Sequence, residues 1–302
     1  IGKQDNIYQA EMEQWVKFAN TLKLKMYLRM SYTSLANPTA VNALLAENNF
    51  LNNDAKFSNF GTGLNQRNPF YEVQIKYLGD VNNVASNSLF DFYDLNGDPR
   101  LESVYRANSA SAYLSIAQGT GDTFNNLASN YSRPNIEADT PVYLMTVAES
   151  NFLQAEALIR YSSGVGAKEK YENGIKSSFE TYGLSADLAT PLIEAGGVYE
   201  YTVGTDIEST VRQVIIQKWA SLAYINNIES YIETTRTKFP EVVPESDVDY
   251  AIGNRIPSAI SILTGTKVPS ILFYPDSEVD RNPNVKQHSS LTEKVWWDKK
   301  VD

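Results

Sequence analysis

The sequence predicts an all-α fold, a TPR-like helical scaffold that carries long, irregular, aromatic-rich loops. Stretches of apolar periodicity predict it. Trp15, Phe18, Ala19, Leu22 and Met26 fall on one face of a helix near the start of the chain. Leu144, Met145, Ala148, Phe152, Ala155 and Ile159 form a second stripe, and Tyr171, Ile175 and Phe179 a third, separated by the turn at residues 162–166. Two helices joined by so short a turn make an antiparallel hairpin, the unit of TPR-like solenoids.

In chain order, the first helix starts near Gln9 and ends at residues 31–34. Glu11 and Glu13 at its start, and Lys23, Lys25 and Arg29 toward its end, suit the helix dipole. Asn37-Pro38 reads as an N-cap followed by Pro at the first helical position, opening a short helix to about Asn48. Residues 50–137 are dominated by Asn, Ser, Gly and Tyr and read as loops with a few short helices, one at residues 86–94. Phe70, Tyr71, Tyr77, Phe90, Tyr93, Tyr105, Tyr113, Phe124 and Tyr131 argue against disorder there. A loop region of this length with that composition is the candidate ligand region. Thr140-Pro141 reads as another cap-plus-Pro start, with helices following to Ile159 and then over residues 167–182. One long helix is expected over residues 206–235, with Val211, Val214, Ile215, Trp219 and Leu222 on one face. Beyond Phe239, Pro240, Pro244, Pro257, Pro269, Pro275 and Pro283 predict an irregular segment, residues 240–302, packed on the helices. No linker divides the chain, so residues 1–302 read as one domain.

The 302 residues carry a net charge of −10, no cysteine and one histidine, His288. Disulfide frameworks, thiolate metal sites and cysteine nucleophiles are therefore excluded. The acidic balance argues against nucleic acid and against an anionic membrane face as partners. No apolar run reaches the length of a membrane span. Asn and Tyr are in excess, at 27 and 19. An AT-rich genome explains such a surplus. Recognition of sugars or peptides explains it equally, because aromatic faces stack on CH groups and Asn both donates and accepts.

Local patterns with chemical content are few. Asp94-Leu95-Asn96-Gly97-Asp98 opens like a calcium loop, but Pro99 and Tyr105 stand where Gly and a Glu ligand are required. It reads as an Asp/Asn turn. Gly164-Val165-Gly166 follows a helix and reads as its C-cap rather than a phosphate loop. Glu149 with Glu156, and Glu229 with Glu233, are carboxylate pairs of the type that glycoside hydrolysis uses. At helical spacing they are expected to be solvated or paired with Lys and Arg. His288 is expected to be exposed, and Asn130-Tyr131-Ser132 matches a glycosylation sequon. Adjacent Trp296 and Trp297 either form a sugar platform or pin the terminal segment by burial, with pinning favoured. No metal site, cofactor or catalytic constellation is expected.

Several segments in order resemble the SusD/RagB family. They are Trp15-Val16-Lys17-Phe18-Ala19-Asn20, Asn68-Pro69-Phe70-Tyr71, Asp98-Pro99-Arg100-Leu101, and the stretch 141–157 with Ala148-Glu149. There follow 171–175, Ile215 to Trp219, the set Glu229, Glu233, Arg236, Thr237, Phe239 and Pro240, then 274–278, Asn282-Pro283-Asn284 and Val295-Trp296-Trp297-Asp298. One departure is Thr235, where the family usually has a first Arg. Another is length: family members carry a signal peptide, a lipid-bearing Cys and early TPR helices before the Trp-x-Lys-Phe helix. The chain is thus expected to be a C-terminal portion of the family domain, lacking the N-terminal TPR part, with the lipid anchor on an N-terminal Cys not present in this chain.

The resemblance implies a cell-surface, outer-membrane lipoprotein that works as a hinged lid over a SusC-like TonB-dependent transporter. It implies capture of an oligosaccharide, or in some members a peptide, and no enzyme activity. In this reading a shallow groove between loops 60–135 holds the ligand, with Asn68, Tyr71, Tyr113 and Tyr131 as contacts and Trp15, Phe152 and Trp219 as core. The alternatives are an oligopeptide-binding importer subunit, a glycoside hydrolase using Glu229 and Glu233, and a structural lid without affinity of its own.

Overall fold

The computed structural model describes residues 2–80, 82–120 and 128–301. Its helices are α1 (Met12–Arg29), α2 (Pro38–Glu47), α3 (Pro69–Tyr71), α4 (Asn87–Leu95), α5 (Arg100–Val104), α6 (Val147–Tyr161), α7 (Ala167–Thr181), α8 (Thr190–Ile193), α9 (Ile207–Ser221), α10 (Asn227–Thr237) and α11 (Asp276–Arg281). Two short antiparallel ribbons tie distant segments together: β1 (Ala55–Phe57) pairs with β4 (Val142–Met145), and β2 (Tyr105–Arg106) with β3 (Arg133–Pro134). The fold is mostly helical, as expected.

Local sequence explains several boundaries. Asn37 Oδ1 accepts from Ala40 N at 3.0 Å, with Pro38 beginning α2. The α6–α7 hairpin forms as expected, turning through Gly164 and Gly166 at φ +74° and +81°. Within the fold α6 is the axis, touching α1, α2, α7 and α9. Its Phe152 is fully buried against Gly174 of α7, where a Cβ would come within 2.6 Å of the ring. Only glycine lets the two helices approach that closely. Tyr171, Ile175 and Phe179 of α7, Val214 and Ile215 of α9, and Phe90, Phe92 and Tyr93 of α4 complete the main core. Each such side chain contributes about 1.5–3 kcal/mol by leaving water. A smaller cluster seals α1 and α2 onto α6 through Leu24, Leu28, Val41, Leu44 and Leu153.

The structure departs from the sequence reading in five places. Helix α1 buries Thr21, Leu24 and Leu28 and leaves Leu22 and Met26 of the expected face exposed. Thr140-Pro141 does not start a helix. Residues 142–145 are β4, in which exposed Leu144 alternates with buried Met145, and α6 starts afterwards under Thr146, whose Oγ1 accepts from Glu149 N. A distant partner strand, β1, overrode the local helical pattern. The single helix expected over 206–235 is two. Asn226 accepts from Glu229 N at 3.1 Å and starts α10 afresh, and Tyr224 takes φ +54° in the break. In the loop region, Phe90, Tyr93 and Tyr105 are core residues. Phe124 lies outside the described residues. Trp15 and Trp219 are half-buried rather than enclosed, and only Phe152 of the three expected core aromatics is fully buried.

Arg100 fastens the loop region to the helices. It is fully buried, pairs with Asp98 at 2.6 Å, and donates to Ser178 Oγ of α7 and Gln217 Oε1 of α9. Its guanidinium lies 4.9 Å from the Phe179 ring centre. The Asp98 carboxylate also accepts from Tyr199 Oη, so the calcium-like run is a structural turn. At the other end of the chain, Asp298 is buried against Lys238 at 2.8 Å, and Lys300 Nζ reaches Thr237 O at 2.6 Å and Glu208 at 2.8 Å. Trp297 is half-buried with Arg29 over its ring, while Trp296 is 58% exposed. Pinning of the terminal segment therefore rests on Asp298, Lys300 and one of the two tryptophans.

Candidate functional site

The four contacts expected from sequence fall into two neighbouring pairs, Asn68 with Tyr71, and Tyr113 with Tyr131, whose following residues Leu114 and Ser132 are hydrogen-bonded. Asn68 is buried, and its side chain is committed. Oδ1 accepts from Phe70 N and Tyr71 N at 2.8 and 3.2 Å, and Nδ2 donates to Thr140 O at 2.7 Å. This amide caps α3 and cannot turn to a ligand without uncapping it, so Asn68 leaves the candidate set. Tyr71 is half-buried with the Lys76 ammonium 5.8 Å above its ring. Tyr113 is half-buried on the main core, where burial and Glu102 push its phenol pKa up. Tyr131 is also half-buried. None of the four lines either cavity described below.

One cleft, of about 360 Å³, opens between the start of α4, the break between α9 and α10, and the chain at residues 255–269. Its aromatic wall is Trp219, Tyr224 and Tyr105. Trp219 packs edge-on to Phe92 at 5.9 Å. Tyr224 stacks near-parallel on Phe70 at 6.1 Å and meets Tyr105 edge-on at 6.0 Å. Burial pushes the Tyr224 phenol up to about 12, so it is a neutral hydrogen-bonding group at physiological pH. The α9–α10 break places this residue: its backbone N donates to Asn227 Oδ1 at 2.9 Å.

The opposite wall is irregular chain held by specific bonds. Ile256 N donates to Ser88 Oγ at 2.8 Å, and Ala259 N to Gln118 O at 2.9 Å. Gly119 sits where a Cβ would meet Ser258 Oγ at 2.1 Å, and its φ of +85° also favours glycine. Arg255 is anchored by Nε, which donates to Pro240 O at 2.9 Å. Tyr231 Oη donates to Pro269 O and fixes the far end of the segment. Ser88, Gln118, Asn227, Arg255 and Lys267 supply polar groups around the aromatic wall.

A second hollow, of about 490 Å³, lies beside the α6–α7 turn, between Tyr161, Tyr201 and the start of α9. The charged groups lining it are already in use. Arg160 pairs with Glu156 at 2.7 Å and Glu208 at 2.6 Å, and Asp206 caps α9 through Ser209 N.

The carboxylate pairs singled out from sequence form no acid–base site. Glu229 pairs with Lys25 and Arg29 at 3.0 and 2.7 Å, and Glu233 with Lys218 and Arg236 at 3.2 and 2.6 Å. Glu156 pairs with Arg236 at 2.8 Å. Burial pushes the Glu233 pKa up, but Arg236, Lys218 and Arg29 more than offset it and hold it well below the usual carboxylate range. Such a group cannot deliver a proton. His288 lies in its loop with Nδ1 2.9 Å from Glu293 and its ring stacked on Tyr274. Among the described residues no group of three or more His, Asp or Glu side chains is placed to hold a metal ion. No helix among them is long and apolar enough to cross a membrane.

Sequence reasoning missed Trp219 as a cleft residue, Tyr224 and Arg255. The one local signal for Tyr224 was Asn226-Asn227 inside an otherwise helical pattern, a pair that favours caps and turns.

Comparison with known proteins adds the family. A family profile described as SusD-like, starch-binding and associating with the outer membrane matches residues 1–259. The fold is shared with a SusD homologue from Bacteroides uniformis (TM-score 0.78, 23% identity, 99% of this chain and 68% of that one). It is shared likewise with a SusD homologue from Bacteroides thetaiotaomicron (0.75, 22%, 100% and 68%). A chitin-binding protein also matches (0.70, 22%, 97% and 66%). No curated protein matches the chain in sequence. The profile match covers most of the chain, and the chain belongs to the SusD-like family.

Proposed function

We propose that this SusD-like chain is the glycan-binding subunit of an outer-membrane importer, lipid-anchored at the cell surface and working with a SusC-like TonB-dependent transporter. An oligosaccharide lies in the cleft against Trp219 and Tyr224. The carrying observation is that one cleft combines flat aromatic faces with a rim of hydrogen-bonding side chains. Its volume of about 360 Å³ suits a segment of one or two sugar rings, within the range of small-ligand sites. The apolar CH faces of a sugar stack on Trp219, while Ser88, Gln118 and Asn227 bond its hydroxyls.

No bond is made or broken in this function. The glutamates that a hydrolase reading would use are buried in ion pairs, which removes its candidate pair. The carbohydrate reading is supported over the peptide reading by the family's description as starch-binding and by the chitin-binding protein of the same fold.

Calorimetry of the purified chain against a panel of oligosaccharides and oligopeptides tests the proposal. A glycan should bind, Trp219→Ala and Tyr224→Ala should each weaken it about tenfold, consistent with the loss of an aromatic face, and no turnover should accompany binding. Unchanged affinity in both variants would remove the cleft as the site. Binding of peptides alone would replace the glycan with a peptide.

A further inference from the structure

The cleft has a charge that the chain as a whole does not predict. The protein carries 36 acidic and 26 basic residues, yet the charged side chains lining the cleft are Arg255 and Lys267, with no Asp or Glu among the lining residues. Lys267 is exposed. Arg255 bonds one backbone carbonyl through Nε, and no ion pair among the described residues includes it. The neighbouring acid, Glu241, is gripped by Arg212, whose Nε lies 2.8 and 2.9 Å from its two oxygens. Glu241 is thus already neutralised by another cation.

Three more deeply buried arginines provide the control. Arg100, Arg160 and Arg236 are each desolvated, and in each the facing carboxylates more than offset the burial and raise the pKa. Arg255 moves the opposite way. Burial lowers it to about 10, with only weak opposition from Tyr231 and Glu241. It stays charged at neutral pH while being short of negative charge. Arg255 is half-buried at the cleft wall, and its terminal guanidinium nitrogens bond no protein group among the described residues, so an anion in the cleft can pair with them. The guanidinium fork also matches a carboxylate in shape.

We infer that the cleft is built for acidic oligosaccharides, chains bearing sugar carboxylates, with Arg255 pairing one carboxylate, Lys267 adding long-range attraction and Trp219 stacking on a ring. This rests on the proposed glycan-binding role of the same cleft and names the class of glycan. It separates the site from one made for starch-like neutral chains, whose hydroxyls would gain less from a free guanidinium than a carboxylate does.

The test uses the full chain and calorimetry with three sets of probes: uronate oligosaccharides (oligogalacturonate, oligomannuronate and hyaluronan fragments), malto- and chito-oligosaccharides of matched length, and an oligoglutamate peptide. At least one uronate oligosaccharide should bind about tenfold or more tighter than the neutral chains, a factor that corresponds to one charge-assisted contact. Raising the salt concentration should shrink that advantage. Arg255→Gln should abolish it, read as a uronate-to-neutral affinity ratio that falls to about one, as expected when the charge-assisted contact is lost. Lys267→Gln, at an exposed position, should reduce it severalfold. If Arg255→Gln does not fold, Lys267→Gln and the salt series decide, and a preference indifferent to both overturns the inference. Neutral glycans binding as well as uronates, with loss in Trp219→Ala, would overturn acidic selectivity while leaving the glycan cleft standing. Oligoglutamate binding with no sugar binding at all would overturn both.

Discussion

Two regions of this molecule gather cations, and they treat them oppositely. Where α1, α6, α9 and α10 meet, Lys25, Arg29, Arg160, Lys218 and Arg236 face Glu149, Glu156, Glu208, Glu229 and Glu233. Arg236 alone donates to Glu156, Glu233, Ser31 and the Leu28 carbonyl. In the cleft, Arg255 has a single backbone acceptor and no carboxylate. Matched charge is architecture: each partner fixes the position of the next, so the lattice sets how four helices cross. Unmatched charge is unfinished until something from outside completes it. Arg236 is fully enclosed and Arg255 half-buried, and the sharper difference between them is pairing.

Removing one member of the lattice should have the largest effect. Arg236→Ala leaves Glu156 and Glu233 buried without their main partner and should cost about 3–5 kcal/mol, read as a lowered urea midpoint. Ligand affinity, measured below the new midpoint, should change little. A destabilisation under 1 kcal/mol would mean that the lattice is no more than a set of surface-like pairs.

Acid should reach the lattice next. Glu156 and Glu233 sit below the ordinary carboxylate range. Glu208 is lowered to about 2 because Arg160, Lys300 and Tyr32 outweigh its burial. Depressed folded-state pKa values stabilise the protein fully above the unfolded carboxylate range, and this contribution is lost as pH falls from about 4.5 toward 2. Urea midpoints measured down that range should fall. Arg236→Ala should flatten the fall, since it removes the main cause of two of the shifts.

In the cleft the order of effects inverts. Arg255→Gln should change stability by only about 1 kcal/mol, the worth of its bond to Pro240 O set against relief of an unpaired charge. The same change should remove most of the affinity for an acidic glycan. A midpoint drop as large as that of Arg236→Ala would place Arg255 with the architecture. The smallest effect is expected at a solvent-facing pair. Lys17 and Glu13 lie 3.3 Å apart with Glu13 78% exposed, so Glu13→Gln should stay within about 0.5 kcal/mol.

Much of the scaffold was legible in advance, because helical periodicity and caps are local. The α1 helix, the Asn37-Pro38 start of α2 and the α6–α7 turn all formed where the pattern put them, but the face that α1 buries is that of Thr21, Leu24 and Leu28 rather than that of Leu22 and Met26. The pairing of Glu229 and Glu233 with Lys and Arg was expected too, though not its depth. Failures came where distant partners intervened. Strand β4 exists because β1 lies beside it, and no window around Thr140-Pro141 contains β1. Asn68 carried the right chemistry for a sugar, but it lies at the start of α3, where uncapped backbone N–H groups claimed its oxygen. Tyr105 stood among the loop aromatics, and the fold placed it in the core at the cleft wall.

By itself, then, the sequence determined the helical class, the hairpin, the family motifs and the absence of cysteine chemistry, since these depend on residue type and short spacing. Tertiary structure decided which aromatics line the cleft and which of its cations stand outside ion pairs. Trp219, Tyr224 and Arg255 are brought to one cleft from α9, the turn after it and a proline-rich segment. Arg236 and Arg255 differ little as letters in the chain. Their roles diverge because one folds into a ring of carboxylates and the other into a wall that has none.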